Sequence, residues 1–263
     1  MQRGAVGCIW LYALASVLLP LGLFGLHALG PRWFFPALLP DSLSLEPLLA
    51  LIGNPRTQAA LGLSAQVALL VTGLAVLIGY PAARALTFAP LVGRGVILAV
   101  LFLPTVIPPI AIGIGLNSLM LQLGLAGTLI GVCIVHLIPV LPYVILTLSS
   151  MLSRYDRHYE EQAQVLGAGA WQVWWLVTLP MSLPALAVAA LFAFLISWSE
   201  YLFTALIGGG RVITLPVLLF ALVAGGNPTT LAGVALLIVA VPMLAILLAS
   251  RLLGGGPQVV GVR

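Results

Sequence analysis

Apolar positions fill this chain in long runs, and polar positions are confined to the gaps between them. A helix needs about 20 consecutive, mostly apolar residues to cross a bilayer. Six runs meet that length: Gly4 to Leu29, Thr57 to Tyr80, Val96 to Met120, Leu125 to Ser150, Leu183 to Ile207, and Thr230 to Leu253. The pattern predicts an all-α integral membrane protein with six transmembrane helices. Arg3 ahead of the first run resembles a signal-peptide start. That run, however, exceeds the usual ~7–15-residue apolar core and no A-x-A site closes it, so it reads as a retained span. A seventh run, Val212 to Ala224, is too short to cross and contains Pro216, which predicts a re-entrant or interfacial segment.

Composition supports the bilayer. Of 263 residues, 62% are hydrophobic and 6% are charged, with a mean hydropathy of +1.22. A soluble domain carries about 25% charged residues, so no water-facing surface can be built from this set. All 10 basic residues are arginines. The absence of lysine excludes a P-loop, Schiff-base chemistry and a Ser–Lys dyad. The net charge of +4 therefore reads as membrane orientation rather than nucleic-acid binding. With the N-terminus inside, Arg3, Arg84, Arg94, Arg154, Arg157, Arg251 and Arg263 are cytoplasmic, and only Arg32, Arg56 and Arg211 lie outside. Both termini are then cytoplasmic. Cys8 and Cys133 sit in apolar runs without Cys or His at ligand spacing, which predicts neither a disulfide framework nor a metal site. With no soluble segment and no internal repeat, residues 1–263 read as one membrane domain with a core over 57–253.

Two features stand out within the spans. Pro104, Pro108, Pro109, Pro139 and Pro142 concentrate in the third and fourth runs, where each removes a backbone donor. Freed carbonyls must be satisfied by neighbouring helices or by water in a cavity, so the cluster points to a bent, gated path. The second feature is Glu200 in the fifth run, near Trp198, since an intramembrane carboxylate is costly. Three roles are open to Glu200: a structural or gating bond between helices, contact with a cationic substrate, and proton relay. His136 beside Pro139 reads as a satisfied core histidine or as a pathway residue.

The polar loop from Leu152 to Pro180 carries Arg154, Asp156, Arg157, Glu160 and Glu161. A short amphipathic helix is predicted from Asp156, with carboxylates near its N-terminus and a small apolar face of Ala163, Val165 and Leu166. Gly167 and Gly169 end it, and Trp171, Trp174 and Trp175 place indoles on one face at the membrane boundary. The result is a helix–glycine–helix elbow.

Glu161-Gln162-Ala163, Gly167-Ala168 and Leu179-Pro180 together resemble the EAA loop of the membrane subunits of binding-protein-dependent ABC importers. Leu103 to Pro109, Ser197 to Tyr201 and Thr214 to Val217 resemble other segments of these permeases, so the likeness runs from Leu61 onward. Gln162 replaces the first alanine of the motif. The resemblance implies a type I importer transmembrane domain whose 156–170 loop couples to a cytosolic ATPase through Glu160, Glu161, Ala163, Gly167 and Ala168. Pro104, Pro108, His136, Trp198 and Glu200 would then belong to the translocation path or its gate. It also implies that the chain is no enzyme and binds no cofactor itself, ATP and Mg residing on the partner ATPase. The other partners implied are a second permease subunit (self or related), an extracytoplasmic substrate-binding protein and the lipid of a bacterial or archaeal cell membrane. The loop looks closest to the polyamine, aminophosphonate, thiamine and ferric-iron importers. The alternative is a proton-coupled secondary transporter using Glu200 and His136.

Overall fold

The computed structural model describes residues 2–254 except 32, 34–36 and 38. Arg32 and Arg263 lie outside the described residues, as do the side chains of Arg3 and Cys8. The helices in chain order are α1 (Gln2–Leu29), α2 (Glu46–Gly53), α3 (Pro55–Phe88), α4 (Arg94–Val106), α5 (Pro109–Gln122) and α6 (Leu129–Leu152). They continue with α7 (His158–Val165), α8 (Ala170–Val173), a π-helical turn (Trp174–Thr178), α9 (Leu179–Ser199), α10 (Leu202–Gly208), α11 (Leu215–Val223) and α12 (Pro228–Gly254). Among the described residues, five stretches are long and apolar enough to cross a membrane, and α4 with α5 makes a sixth when the bent pair is taken as one span.

That third span departs from the straight helix the apolar run predicts. It bends by 98° between α4 and α5. Pro108 and Pro109 supply no N–H, and a residue before proline is pushed out of the α region. Ile107 (ψ 137°) and Pro108 (ψ 126°) are accordingly extended. The fifth span departs as well. Its helix begins at Ala170 rather than near Leu183, continues to Ser199, and stops at Glu200 before resuming as α10. Leu179-Pro180 thus lies inside a continuous helix. A π turn precedes it, with the Leu179 N–H bonding to the Trp174 carbonyl, because Pro180 has no donor to continue the α register. The sequence also gave no sign of α2, which fills the connection after the first span.

Two units make up the chain. The first comprises residues up to Leu63 together with Ile213–Val241. Within it α1 packs on α2, and Gly233 of α12 leaves room for Leu51 of α2.

The second unit, Ser64–Val212 with the described residues from Pro242 onward, is centred on α6. Val132, Val135, His136, Val140, Val144 and Leu148 of α6 are buried at helical spacing. Thr128 caps its start, the Oγ1 accepting from the Gly131 N–H at 3.0 Å. Against α6 lies α9, whose buried Ser182, Ala185, Ala189 and Ala193 form a stripe of small residues that permits close approach. Helix α10 packs on α5 and α6. On α3, Gly79 leaves no room for a Cβ beside Val144. The outward faces carry bare leucine and isoleucine, such as Leu69, Leu77 and Ile130, as expected where lipid replaces water.

Candidate coupling elbow and intramembrane cavity

The polar loop folds as the elbow its sequence predicts, in the second unit. Asp156 opens it by accepting the His158 N–H on its side chain at 2.9 Å. The helix α7 ends at Leu166, and Gly167 takes φ +91°, a conformation that a residue with a Cβ rarely adopts. Gly169 then starts α8, its N–H held by the Gln172 side chain at 2.9 Å. Trp171 stacks on Trp174 at a centroid separation of 5.7 Å, and Trp175 meets both edge-on at 5.6 and 4.8 Å.

The two neighbouring carboxylates of α7 have opposite fates. Glu161 points out and pairs with the exposed His158, at 3.0 Å. With His158, Gln162, Val165 and Leu166 it lines an open hollow of about 480 Å³. Val165 and Leu166 are 88% and 86% exposed, side by side on a polar loop. No atom stands within 4 Å of where a Gly167 Cβ would be. Ala163 and Ala168 are partly covered.

Glu160 turns inward and is buried. Its carboxylate receives the two terminal nitrogens of Arg84 at 3.0 and 3.2 Å, the Tyr155 hydroxyl at 2.8 Å and the Thr178 hydroxyl at 2.8 Å. Burial alone raises this carboxyl. The hydrogen bonds from Arg84, Thr178 and Tyr155, with the charge of Arg84, outweigh burial and bring it down to about 2. The Tyr155 hydroxyl moves the other way, pushed up to about 12 by burial and by its bond to the carboxylate. Phe88 completes the cluster, with the Arg84 and Arg157 guanidinium groups 5.6 and 5.2 Å from its ring centre. Arg84, Tyr155 and Thr178 were not distinguished by sequence as partners of Glu160. Arg84 counted there only as an orientation charge, 76 positions from Glu160, and no local motif joins the three to it.

The second constellation surrounds the break in the fifth span. Glu200 is extended (ψ 112°), and its Oε1 accepts the Phe203 N–H at 3.1 Å, capping the start of α10. The carboxylate also borders a cavity of about 180 Å³ whose walls include Pro104, Thr105, Pro109, Pro139, Tyr143 and Phe203. Pro108 and Pro109 have no N–H to give the carbonyls four residues back, those of Pro104 and Thr105, and both of these residues face the cavity. Of the residues expected along a path, Pro104 and Glu200 border this cavity, whereas Pro108, His136 and Trp198 do not. Trp198 is buried and stacks on Phe194 at 5.6 Å.

His136 is the satisfied core histidine, 1% exposed and bonded to Ser197 at 2.9 Å and Thr204 at 2.8 Å. Thr204 gives its one proton to the Glu200 carbonyl at 3.1 Å. It therefore accepts from His136 Nε2, and Nδ1 accepts from Ser197, which a neutral imidazole satisfies completely. The chain of bonds from His136 reaches the Glu200 backbone and not its carboxylate.

Residues 75–254 match the family described as "binding-protein-dependent transport system inner membrane component". The molybdenum transport system permease protein ModB of Mycobacterium tuberculosis is 32% identical over 247 residues, covering 82% of this chain and 92% of that one. The putrescine transport system permease protein PotI of Escherichia coli is 30% identical over 186 residues, covering 68% of this chain and 66% of that one. The crystal structure of a bacterial ABC transporter involved in import of the acidic polysaccharide alginate has the same fold. It superposes with a TM-score of 0.70 at 18% identity, covering 97% of this chain and 96% of that one. None of these relatives supports the proton-coupled alternative. The chain belongs to the binding-protein-dependent transport system inner membrane components, the permease subunits of ABC importers.

Proposed function

We propose that this chain forms half of the membrane path of its importer and is driven through its elbow. The 156–170 loop seats in a cytosolic ATPase dimer that holds ATP and Mg, so this chain needs no ATPase site of its own. A second permease subunit, identical or related, supplies the other half of the path. An extracytoplasmic binding protein delivers a small solute. The chain lies in a bacterial or archaeal cell membrane with both termini in the cytoplasm, the side favoured by its arginines.

One observation carries the reading. The elbow presents Val165 and Leu166 almost fully exposed beside a glycine with open space around it, on a polar loop held at its root. Apolar side chains held so far out of their own fold are a docking knob, and the bare Gly167 lets a partner backbone come close.

The test is gentle detergent extraction of the tagged chain from its native membrane, with bound proteins identified by mass spectrometry. A P-loop ATPase is expected with the wild type and is expected to be missing with Gly167→Trp. If no ATPase accompanies the wild type under conditions that keep other ABC importers intact, the docking assignment is wrong.

A further inference from the structure

Beneath the docking face, one buried carboxylate ties together four separate pieces of chain. Arg84 comes from α3, Tyr155 from the turn after α6, Glu160 from α7 and Thr178 from the π turn that precedes α9. A two-pronged guanidinium–carboxylate contact fixes orientation as well as distance. An exposed salt bridge would hold a surface loop only weakly, whereas this carboxylate is buried and accepts four hydrogen bonds. Its position is also specific. The outer face of α7, with Glu161 and Val165, is open, while its inner face meets α3 through this carboxylate.

Helix α3 is in turn locked to the helices behind it. Tyr80, one turn before Arg84, shares a hydrogen bond of 3.1 Å with Ser182 of α9. Gly79 lies against Val144 of α6, one residue from the cavity-lining Tyr143. A push on α7 therefore has a rigid route, through Glu160 and Arg84 into α3, and from α3 into α6 and α9. The π turn joins the elbow to α9, and Thr178 within it is held to the same carboxylate.

We propose that Arg84 is a positioning residue for energy coupling, passing displacement of α7 into the membrane helices through its two-pronged contact with Glu160. This rests on the reading that α7 docks on the ATPase. Arg84 acts through Glu160, whose carboxylate it holds in place.

The experiment uses the whole importer complex in lipid, with spin labels at two lipid-facing positions, Leu77 on α3 and Val100 on α4. The probe is ATP with Mg, which needs no knowledge of the solute. In the wild type, ATP is expected to shift the inter-label distance. In Arg84→Gln the ATPase stays bound and hydrolyses ATP, and the shift per ATP hydrolysed falls about threefold or more. Arg84→Lys keeps the charge without the fork and is expected to fall in between. Arg84→Gln combined with Glu160→Gln is expected to lose no more than Arg84→Gln alone, because the pair acts as one unit.

A wild-type-sized shift in Arg84→Gln overturns the proposal, as does a wild-type complex in which ATP moves neither label. Loss of the ATPase from Arg84→Gln also overturns it, since the pair would then serve docking alone. Absence of the ATPase from the wild type is a different result and counts against the docking itself.

Discussion

Arg84 and Glu160, 76 positions apart in the chain, meet through two parallel N–H···O contacts of 3.0 and 3.2 Å. The arginine side chain is 27% exposed and the carboxylate 9%, so the pair sits below the surface without being sealed from it. Removing one partner leaves the other desolvated and uncompensated. For a fully buried pair that costs about 3–5 kcal/mol, and partial exposure of Arg84 reduces it to about 1–3 kcal/mol. Glu160→Ala is expected to lower the thermal midpoint in detergent accordingly, and Glu160→Gln less, because the amide oxygen still accepts from Tyr155 or Thr178. Equal midpoints for Glu160→Ala and the wild type would show that the cluster contributes nothing to stability.

The same carboxylate sets a dependence on pH. Its pKa is about 2 in the fold against an ordinary 4.5, so the unfolded chain takes up its proton first as pH falls. Stabilisation is complete above the ordinary value and is lost as pH drops through the folded one. Linkage puts the loss between about pH 4.5 and pH 2, with less than half remaining by about pH 3. Unfolding midpoints of the wild type and Glu160→Gln should therefore differ at neutral pH and converge across that window. A gap that stayed constant down to pH 3 would falsify the charge-dependent part of the cluster.

Spans are legible in this sequence because lipid imposes one demand, about 20 apolar residues, that no alternative fold satisfies. The elbow was legible for a related reason: Asp156, Gly167 and Gly169 act on backbone within a few residues of themselves. What was not legible depends on direction rather than content. Glu160 and Glu161 are the same residue type side by side, and only the α7 rotation decides that one meets Arg84 and the other water. The third span showed five prolines with its neighbour but not a 98° bend, because proline disturbs a helix without fixing the angle. Trp198 sits beside Glu200 in sequence, but only the rotation of α9 decides that its indole is buried against Phe194. Helix α2, with 8 residues, is too short for periodicity to separate from loop.

His136 holds three helices at one point, through Ser197 of α9 and Thr204 of α10. His136→Ala removes both bonds and leaves a hole where side chains were 1% exposed or less around Val132, Val135 and Val140. Interhelical hydrogen bonds in membranes average about 0.6 kcal/mol each, so most of the cost comes from the hole, for a total of about 2–4 kcal/mol. Ser197→Ala leaves the Thr204 bond and the ring in place and is expected to cost under about 1 kcal/mol. Thermal unfolding of the two variants separates these contributions. If Ser197→Ala proved as damaging as His136→Ala, the hydrogen bonds rather than the packing would dominate.

Gly79 makes the sharpest test of how α3 is held. A Cβ at this position would stand 2.7 Å from Val144 Cγ1, well inside van der Waals contact. Val144 is fully buried and β-branched, so it has no alternative rotamer into which to retreat. Gly79→Ala should therefore force α3 away from α6 at a cost of about 1–3 kcal/mol, even though alanine is the better helix former. Val144→Ala alone opens a small hole and also destabilises. Combined, the two changes relieve each other, and the double variant should be more stable than the sum of the single losses by about 1 kcal/mol or more. Simple additivity in a double-mutant cycle would mean that α3 and α6 are not in contact here. Val144 lies next to Tyr143 on the cavity wall, so the same cycle reports whether α3 bears directly on the helix that bounds the cavity.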